Sequence, residues 1–272
     1  MIETLFFTIL GLALGSFLNV VILRIPKDES IIFTSSHCTQ CKTPLKPWHN
    51  IPLLSWIFLR GKCSYCKAKI SIEYPFIEAL SMLLFFILAN QLGVYISTLF
   101  VGLSFLMLLA LAMIDFKYMM IPDSLNLLAI AFAVVAASSI EGIFLNFQNA
   151  LLFAGGFTLL RFALSYFLTS SAHSLAKKTE TSWTKNYHTY PFIEAMGEGD
   201  IMVAATMGAL LGVELTLVAI FLSALLALPI MLVLKNKSPQ EPRVPFVPFL
   251  AIASFIIYIN DTAVLTYIEA NY

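Results

Sequence analysis

The sequence predicts an all-α polytopic membrane protein of about eight transmembrane helices. Three observations predict it. Charged residues make up only 12% of the 272, where a soluble domain carries roughly 25%. Hydrophobic residues make up 59%, including 23 Phe, which leaves too little polar surface to wrap a water-soluble globule. The apolar residues also fall into runs near the length, about 20 residues at 1.5 Å each, that spans the hydrocarbon of a bilayer. Formal net charge is zero, so bulk charge gives no case for a nucleic-acid partner. The expected partner is the lipid bilayer.

In chain order the runs are 3–24, 74–91, 95–115, 121–140, 147–169, 199–213, 214–234 and 245–260. The first is read as a retained helix and not a secretory signal. Glu3 is its only early charge, and its length exceeds an apolar signal core of about 7–15 residues. Only Gly212 and Glu214 separate the sixth run from the seventh. Lys and Arg placement sets the orientation. With the first helix starting outside, 15 of the 16 basic residues fall in inside connections or at their borders, and Arg161 sits within a helix. Both termini are then outside. The segments 25–73 and 170–196 are the long inside loops. The second is polar, suited to a cover over a site or to a plain linker.

All four cysteines lie in the first long loop, as Cys38-Thr39-Gln40-Cys41 and Cys63-Ser64-Tyr65-Cys66. Paired CxxC knuckles can present four thiolates to one tetrahedral ion, which suits structural zinc. A cytoplasmic loop disfavours disulfides. A redox dithiol or unliganded thiols are the alternatives. A closed four-sulfur site has no open position for substrate, so its expected work is to fold a loop too small to hold itself. His37 and His49 lie outside the CxxC spacing and are not taken as ligands.

Ionisable groups in membrane helices are costly and usually functional. Asp115 ends the third run, and Asp200 begins the sixth in Gly197-Glu198-Gly199-Asp200. Both fall at the same membrane boundary, so packed helices could set the carboxylates face to face. Two close carboxylates share a proton. One can then take a proton from water while the other donates to a carbonyl oxygen. The glycines allow close backbone approach beside Asp200. Simpler readings stand beside this one: Asp200 as a helix N-cap, Asp115 as a snorkelling boundary residue, and Asp123, beside Pro122, as a capping residue. Glu194 and Glu198 flank the glycine turn, with Glu198 expected in solvent. His173 and His188 are expected to be solvated. Arg161 needs a carboxylate or carbonyl partner that the sequence does not name.

These residues, in this order, resemble the type IV prepilin peptidases (leader peptidase/N-methyltransferase). The likeness runs through Gly15-Ser16-Phe17-Leu18-Asn19, Arg24-Ile25-Pro26, both CxxC knuckles, Arg60-Gly61-Lys62-Cys63, Tyr74-Pro75 with Glu78, Asp115 with Ile121-Pro122-Asp123, Glu194 through Asp200, and Val244 through Ala251. The resemblance implies a membrane aspartic endopeptidase of the inner membrane. It implies cleavage of prepilin or pseudopilin precursors after a Gly that ends a basic leader, on the cytoplasmic face. Methylation of the new N-terminus by S-adenosylmethionine is implied too, with no residue here assigned to that cofactor. Carried over by position, Asp115 and Asp200 become the catalytic pair, and Cys38, Cys41, Cys63 and Cys66 the zinc ligands. The chain then divides into a first helix (1–24), a four-cysteine module (25–73) and a membrane peptidase domain (74–272). One position departs from the family: Met202 stands where a Lys is usual, and Lys117 is the candidate substitute cation. Two competing classes are a transporter using boundary carboxylates, which would predict deeper acids and broken helices, and a zinc-stapled membrane scaffold.

Overall fold

A computed structural model describes residues 2–33, 36–179, 196–237 and 244–271. Nine α-helices are described: α1 Ile2–Arg24, α2 Leu54–Phe58, α3 Glu73–Leu92, α4 Ile96–Tyr118, α5 Asp123–Val135, α6 Ile140–Thr179, α7 Glu198–Lys237, α8 Val247–Ile259 and α9 Asp261–Asn271. No strand occurs among the described residues, only the isolated bridges His37–Pro44 and Lys62–Lys69. The protein is an all-α polytopic membrane protein.

Turn chemistry sets the helix ends. Pro26 closes α1 through a short 3-10 turn, Ile25–Lys27, which Asp28 ends in the left-handed region. Gly93, at φ 81°, stops α3. Met119 stops α4 in the left-handed region and returns its N–H to the Asp115 carbonyl at 2.9 Å. Pro122 fixes the backbone just before α5.

The helices pack as a pair, α1 on α3, joined through α4 to a bundle of α4, α5, α6, α7 and α8. Small residues admit the close approach in the first pair: a Cβ on Gly11 or Gly15 would come within 2.7 Å of Ser81 or Phe85 atoms. Phe85, Leu108, Leu111, Ile114, Met207 and Leu250 are fully enclosed. Buried hydroxyls bond helix carbonyls, as Ser254 does to Leu250 at 2.6 Å and Ser104 does across to Ala129 at 2.9 Å. Asn146 donates to the Ala133 and Val134 carbonyls at 3.2 and 3.3 Å, which adds a side-chain donor at the end of α5, where Ala133 also accepts the Ala136 N–H. Outward faces stay apolar, as Phe144, Leu159 and Phe162 of α6 illustrate. Lipid is the solvent that tolerates them.

The expected eight crossings are not matched helix for helix. By length and composition, five described helices can cross a bilayer, or six if α8 and α9, bent by 79°, form one broken span. The run 121–140 yields only the 13 helical residues of α5, between Pro122 and Ala136, and 245–260 yields only the 13 of α8. Each is about 20 Å long, short of the roughly 30 Å hydrocarbon core. The runs 199–213 and 214–234 join in α7. Gly212 interrupts them at φ 75°, ψ −175°, a conformation open to glycine and closed to a helix. Beyond the fifth run, α6 continues to Thr179, so the expected loop 170–196 is helical in its first part. Residues 180–195, with Glu194 and His188, lie outside the described residues. The last stretch, expected as an outer connection, is the helix α9.

Candidate active site

Four segments meet at one end of the bundle: the end of α4, the start of α5, the turn into α7 and the start of α8. Between them lies an open cavity of about 400 Å³, lined by Asp115, Asp123, Glu198 and Asp200 together with Met119, Ile121 and Phe246. Asp115 and Asp200, 85 positions apart in the chain, line the same space.

Asp115 does not snorkel. It is 6% exposed, and its Oδ2 accepts the Val247 N–H at 3.1 Å. The Phe246 amide also faces it. The first turn of α8 thus brings backbone donors to the carboxylate and fixes its rotation. Composition and spacing held no sign of this contact, which spans 132 positions; the segment 244–251 stood out only through the family likeness.

Asp200 is the third residue of α7 and reaches back to the Gly197 amide. It closes the helix start from inside and is not the N-cap itself. Gly199 sets how closely α7 meets the turn before α5. A Cβ there would lie 2.6 Å from Ile121 Cβ, and Asn126, fully buried, holds the Gly199 carbonyl at 3.4 Å. Gly199→Ala is therefore expected to lower stability by about 1–3 kcal/mol, the usual range for overpacking. Thermal unfolding checks it, and an unchanged melting temperature would count against the contact.

Asp123 lies on the cavity rim, exposed, as the first residue of α5, where Pro122 and not Asp123 holds the N-cap position. Its expected capping role is thus not seen. Glu198 is largely exposed, as expected, and supplies the missing partner of Arg161, with Nη1 to Oε1 at 2.9 Å. That pair ties α6 to the start of α7. Lys117 does not serve as a cation for the carboxylates. It is ion-paired with Glu73 in a separate small cleft beside Asn19 and Tyr74. Neither Met202 nor any Lys or Arg among the described residues lines the cavity.

The four cysteines converge. Their sulfurs lie within 4.8 Å of one another, and Cys38 Sγ stands 3.8 Å from Cys66 Sγ. Tetrahedral zinc with bonds of about 2.3 Å requires sulfurs about 3.8 Å apart, so the donor set fits that ion. Both knuckles fold alike. Cys38 N–H donates to Thr43 O and Lys42 N–H to Cys38 O. Cys63 N–H donates to Ala68 O and Lys67 N–H to Cys63 O. Lys42 and Lys67 both take the left-handed region, at φ 56° and 60°.

Hydrogen bonds from the Thr43 side chain and amide bring Cys41 down to about 6. The Cys66 and Tyr65 amides lower Cys63. Against a lowering bond from the Ala68 amide, desolvation and the sulfurs of Cys41, Cys63 and Cys38 push Cys66 up to about 11. A cation at the centre of the four sulfurs would favour the thiolate form of each.

Two family models match the chain: the bacterial peptidase A24 N-terminal domain over residues 9–92 and the type IV leader peptidase family over residues 100–232. Curated relatives named prepilin leader peptidase/N-methyltransferase match nearly end to end. That of Neisseria gonorrhoeae is 32% identical over 94% of this chain and 90% of its own. The Legionella pneumophila protein is 29% identical over 95% and 92%. The Pseudomonas aeruginosa protein is 31% identical over 96% and 92%. No solved structure matches the chain.

Proposed function

The chain belongs to the type IV leader peptidase family, and on that premise we propose that it removes the leader of type IV prepilins or pseudopilins by aspartate-catalysed hydrolysis. The observation that carries the proposal is the shared cavity, where Asp115 and Asp200 arrive from different helices at the end of the bundle. Asp115 and Asp200 are the catalytic pair in this reading.

The pair holds one proton between its carboxyl groups. The ionised carboxylate takes a proton from water as the water oxygen attacks the scissile carbonyl carbon. The protonated partner donates to the carbonyl oxygen. A tetrahedral intermediate forms; as its C–N bond breaks, the newly protonated carboxyl gives its proton to the leaving amine, and the ionised partner takes one back from an intermediate hydroxyl, which restores the shared proton. The Val247 amide leaves Asp115 little freedom to turn, so the reacting oxygen is pre-positioned. Exposed Gly197 offers backbone to an extended substrate strand. No metal need touch the peptide.

Basic residues favour the inside of the membrane, which supports a cytoplasmic cavity and four-cysteine module in the inner membrane. The substrate's apolar helix then lies in the bilayer and its basic leader outside it, with the scissile bond at the boundary. Zinc, held by Cys38, Cys41, Cys63 and Cys66, would supply folding energy to the module and no chemistry to the peptide. The relatives' name also supports N-methylation of the product, with S-adenosylmethionine supplying the methyl group. In this reading the chain divides into a first helix (1–24), a four-cysteine module (25–73) and a membrane peptidase domain (74–272).

The test is a synthetic precursor, a basic leader ending in Gly before an apolar helix, incubated with the chain in liposomes. Mass spectrometry should find two products joined after that Gly in the precursor. An intact precursor, with the chain folded, would overturn the reading.

A further inference from the structure

The cysteine module carries a face that its own folding does not use. Helix α2 is Leu54-Ser55-Trp56-Ile57-Phe58. Leu54, Ile57 and Phe58, at spacing i, i+3, i+4, share one side, and they are 51%, 59% and 80% exposed. Trp56 points the other way. Its indole donates to the Ile70 carbonyl at 3.3 Å, and its ring packs against Gly61. The outward side is wholly apolar.

Depth follows from one hydrogen bond. Leu53 N–H donates to Glu78 Oε2 at 2.7 Å. Glu78 is buried and lies five residues into α3, about 7–8 Å along the helix axis from its start. Leu53 takes φ 60°, ψ −52°, a conformation that non-glycine residues rarely adopt, and the Glu78 bond holds it there. Leu53, and with it the start of α2, is thereby held level with the second turn of α3, a membrane helix. Three large apolar side chains of α2 face away from the protein.

Charge selects the occupant. Between residues 30 and 72 the sequence has six basic residues, Lys42, Lys46, Arg60, Lys62, Lys67 and Lys69, and no Asp or Glu. Lys46 stands 5.2 Å over the ring of exposed Trp48, an aromatic and a cation paired as in interfacial anchors. A module of this charge would repel a basic substrate leader, as it would a second copy of itself. Lipid phosphates would be drawn to it.

We propose that α2 is an interfacial anchor. Leu54, Ile57 and Phe58 enter the headgroup–acyl boundary of an anionic bilayer while the surrounding Lys and Arg meet lipid phosphates. This inference does not rest on the peptidase reading, and its test reads no cleavage.

The experiment places Phe58→Trp in the full chain with Trp48 and Trp183 changed to Phe. The chain is reconstituted in phosphatidylcholine vesicles with or without three parts in ten phosphatidylglycerol. Lipids brominated near the headgroup end of the acyl chain quench nearby indoles. The emission of the indole introduced at position 58, taken against the same chain lacking it, should fall at least twofold, more with phosphatidylglycerol, and less of that gain should remain in 0.5 M salt. An unquenched, water-like emission in both vesicles would overturn the proposal. So would protection that grows with protein density and not with anionic lipid, which would assign the face to a second copy. Hydrogen exchange on the unmodified chain gives an independent reading. Amides of 53–60 should exchange at least threefold more slowly with phosphatidylglycerol present, and equal rates would overturn the proposal without any substitution.

Discussion

Asparagine at Asp115 is expected to lower leader hydrolysis by about 1,000-fold or more while leaving thermal unfolding unchanged within a few degrees. Asn has the shape of Asp, and its carbonyl oxygen can still accept the Val247 N–H now received at 3.1 Å. What it loses is the ability to hold or pass a proton. A positioned acid or base contributes typically 10²–10⁴-fold, and each tenfold is about 1.4 kcal/mol of barrier. Asp200→Asn should behave alike, since the amide side chain can keep the Gly197 contact. The doubly substituted chain should be no slower than the slower single one, because groups that act as a unit are not additive. First-order cleavage rates in liposomes, with melting followed by circular dichroism, check all three. A double variant slower than either single by the product of their effects would mean two independent roles.

On the proposed zinc site, removing the metal from the cysteine cluster carries the second large effect. Structural zinc contributes an apparent ~10–16 kcal/mol at pH 7 in small zinc domains, as much as the whole stability of an ordinary domain, roughly 5–15 kcal/mol. The module between α1 and α3 has little else. Among its described residues α2 is the one α-helix, beside two short 3-10 turns, its two bridges are isolated, and Cys63 is the one buried hydrophobic side chain. Cys66→Ser, or a strong chelator, should therefore release the ion and open residues 36–70 to proteolysis while the membrane helices stay intact. Metal analysis should fall from one zinc per chain to none. The sign with pH follows from the thiols. Binding needs thiolates, so acid weakens it, and the metal should leave as pH falls. A module that resists protease with no metal bound would refute the structural role.

The sequence made some of this plain and hid the rest for physical reasons. The apolar runs are legible because lipid demands them, yet hydropathy does not report where a helix bends. A single φ of 75° at Gly212 interrupts α7 in a stretch that is apolar on both sides. Helix α5 is shorter than its apolar run because the chain leaves the helix at Ala136, before the run ends at Ile140, and α8 is shorter because its first turn opens only after Pro245 and Phe246. The cysteine cluster was legible because metal geometry forces a local spacing. The carboxylate pair was legible as two acids at one boundary, and its surroundings were not. The Val247 donor reaches Asp115 across 132 positions, and Glu198 meets Arg161 across 37. Such pairings follow from packing, which no local pattern encodes. Lys117 shows the converse. Nearness to Asp115 in sequence suggested a supporting cation, but one residue of helical rotation is about 100°, and two turn Lys117 away from the cavity toward Glu73.

The most direct measurement compares wild type, Asp115→Asn, Asp200→Asn and Asp123→Asn on one precursor in liposomes, at matched folding. All three acids line the cavity, so proximity alone does not choose between them. The account predicts that cleavage is lost with Asp115→Asn and with Asp200→Asn, and that Asp123→Asn keeps it within about tenfold. Retained cleavage in either of the first two, with loss in Asp123→Asn, would contradict the pairing and move the catalytic acid to the start of α5.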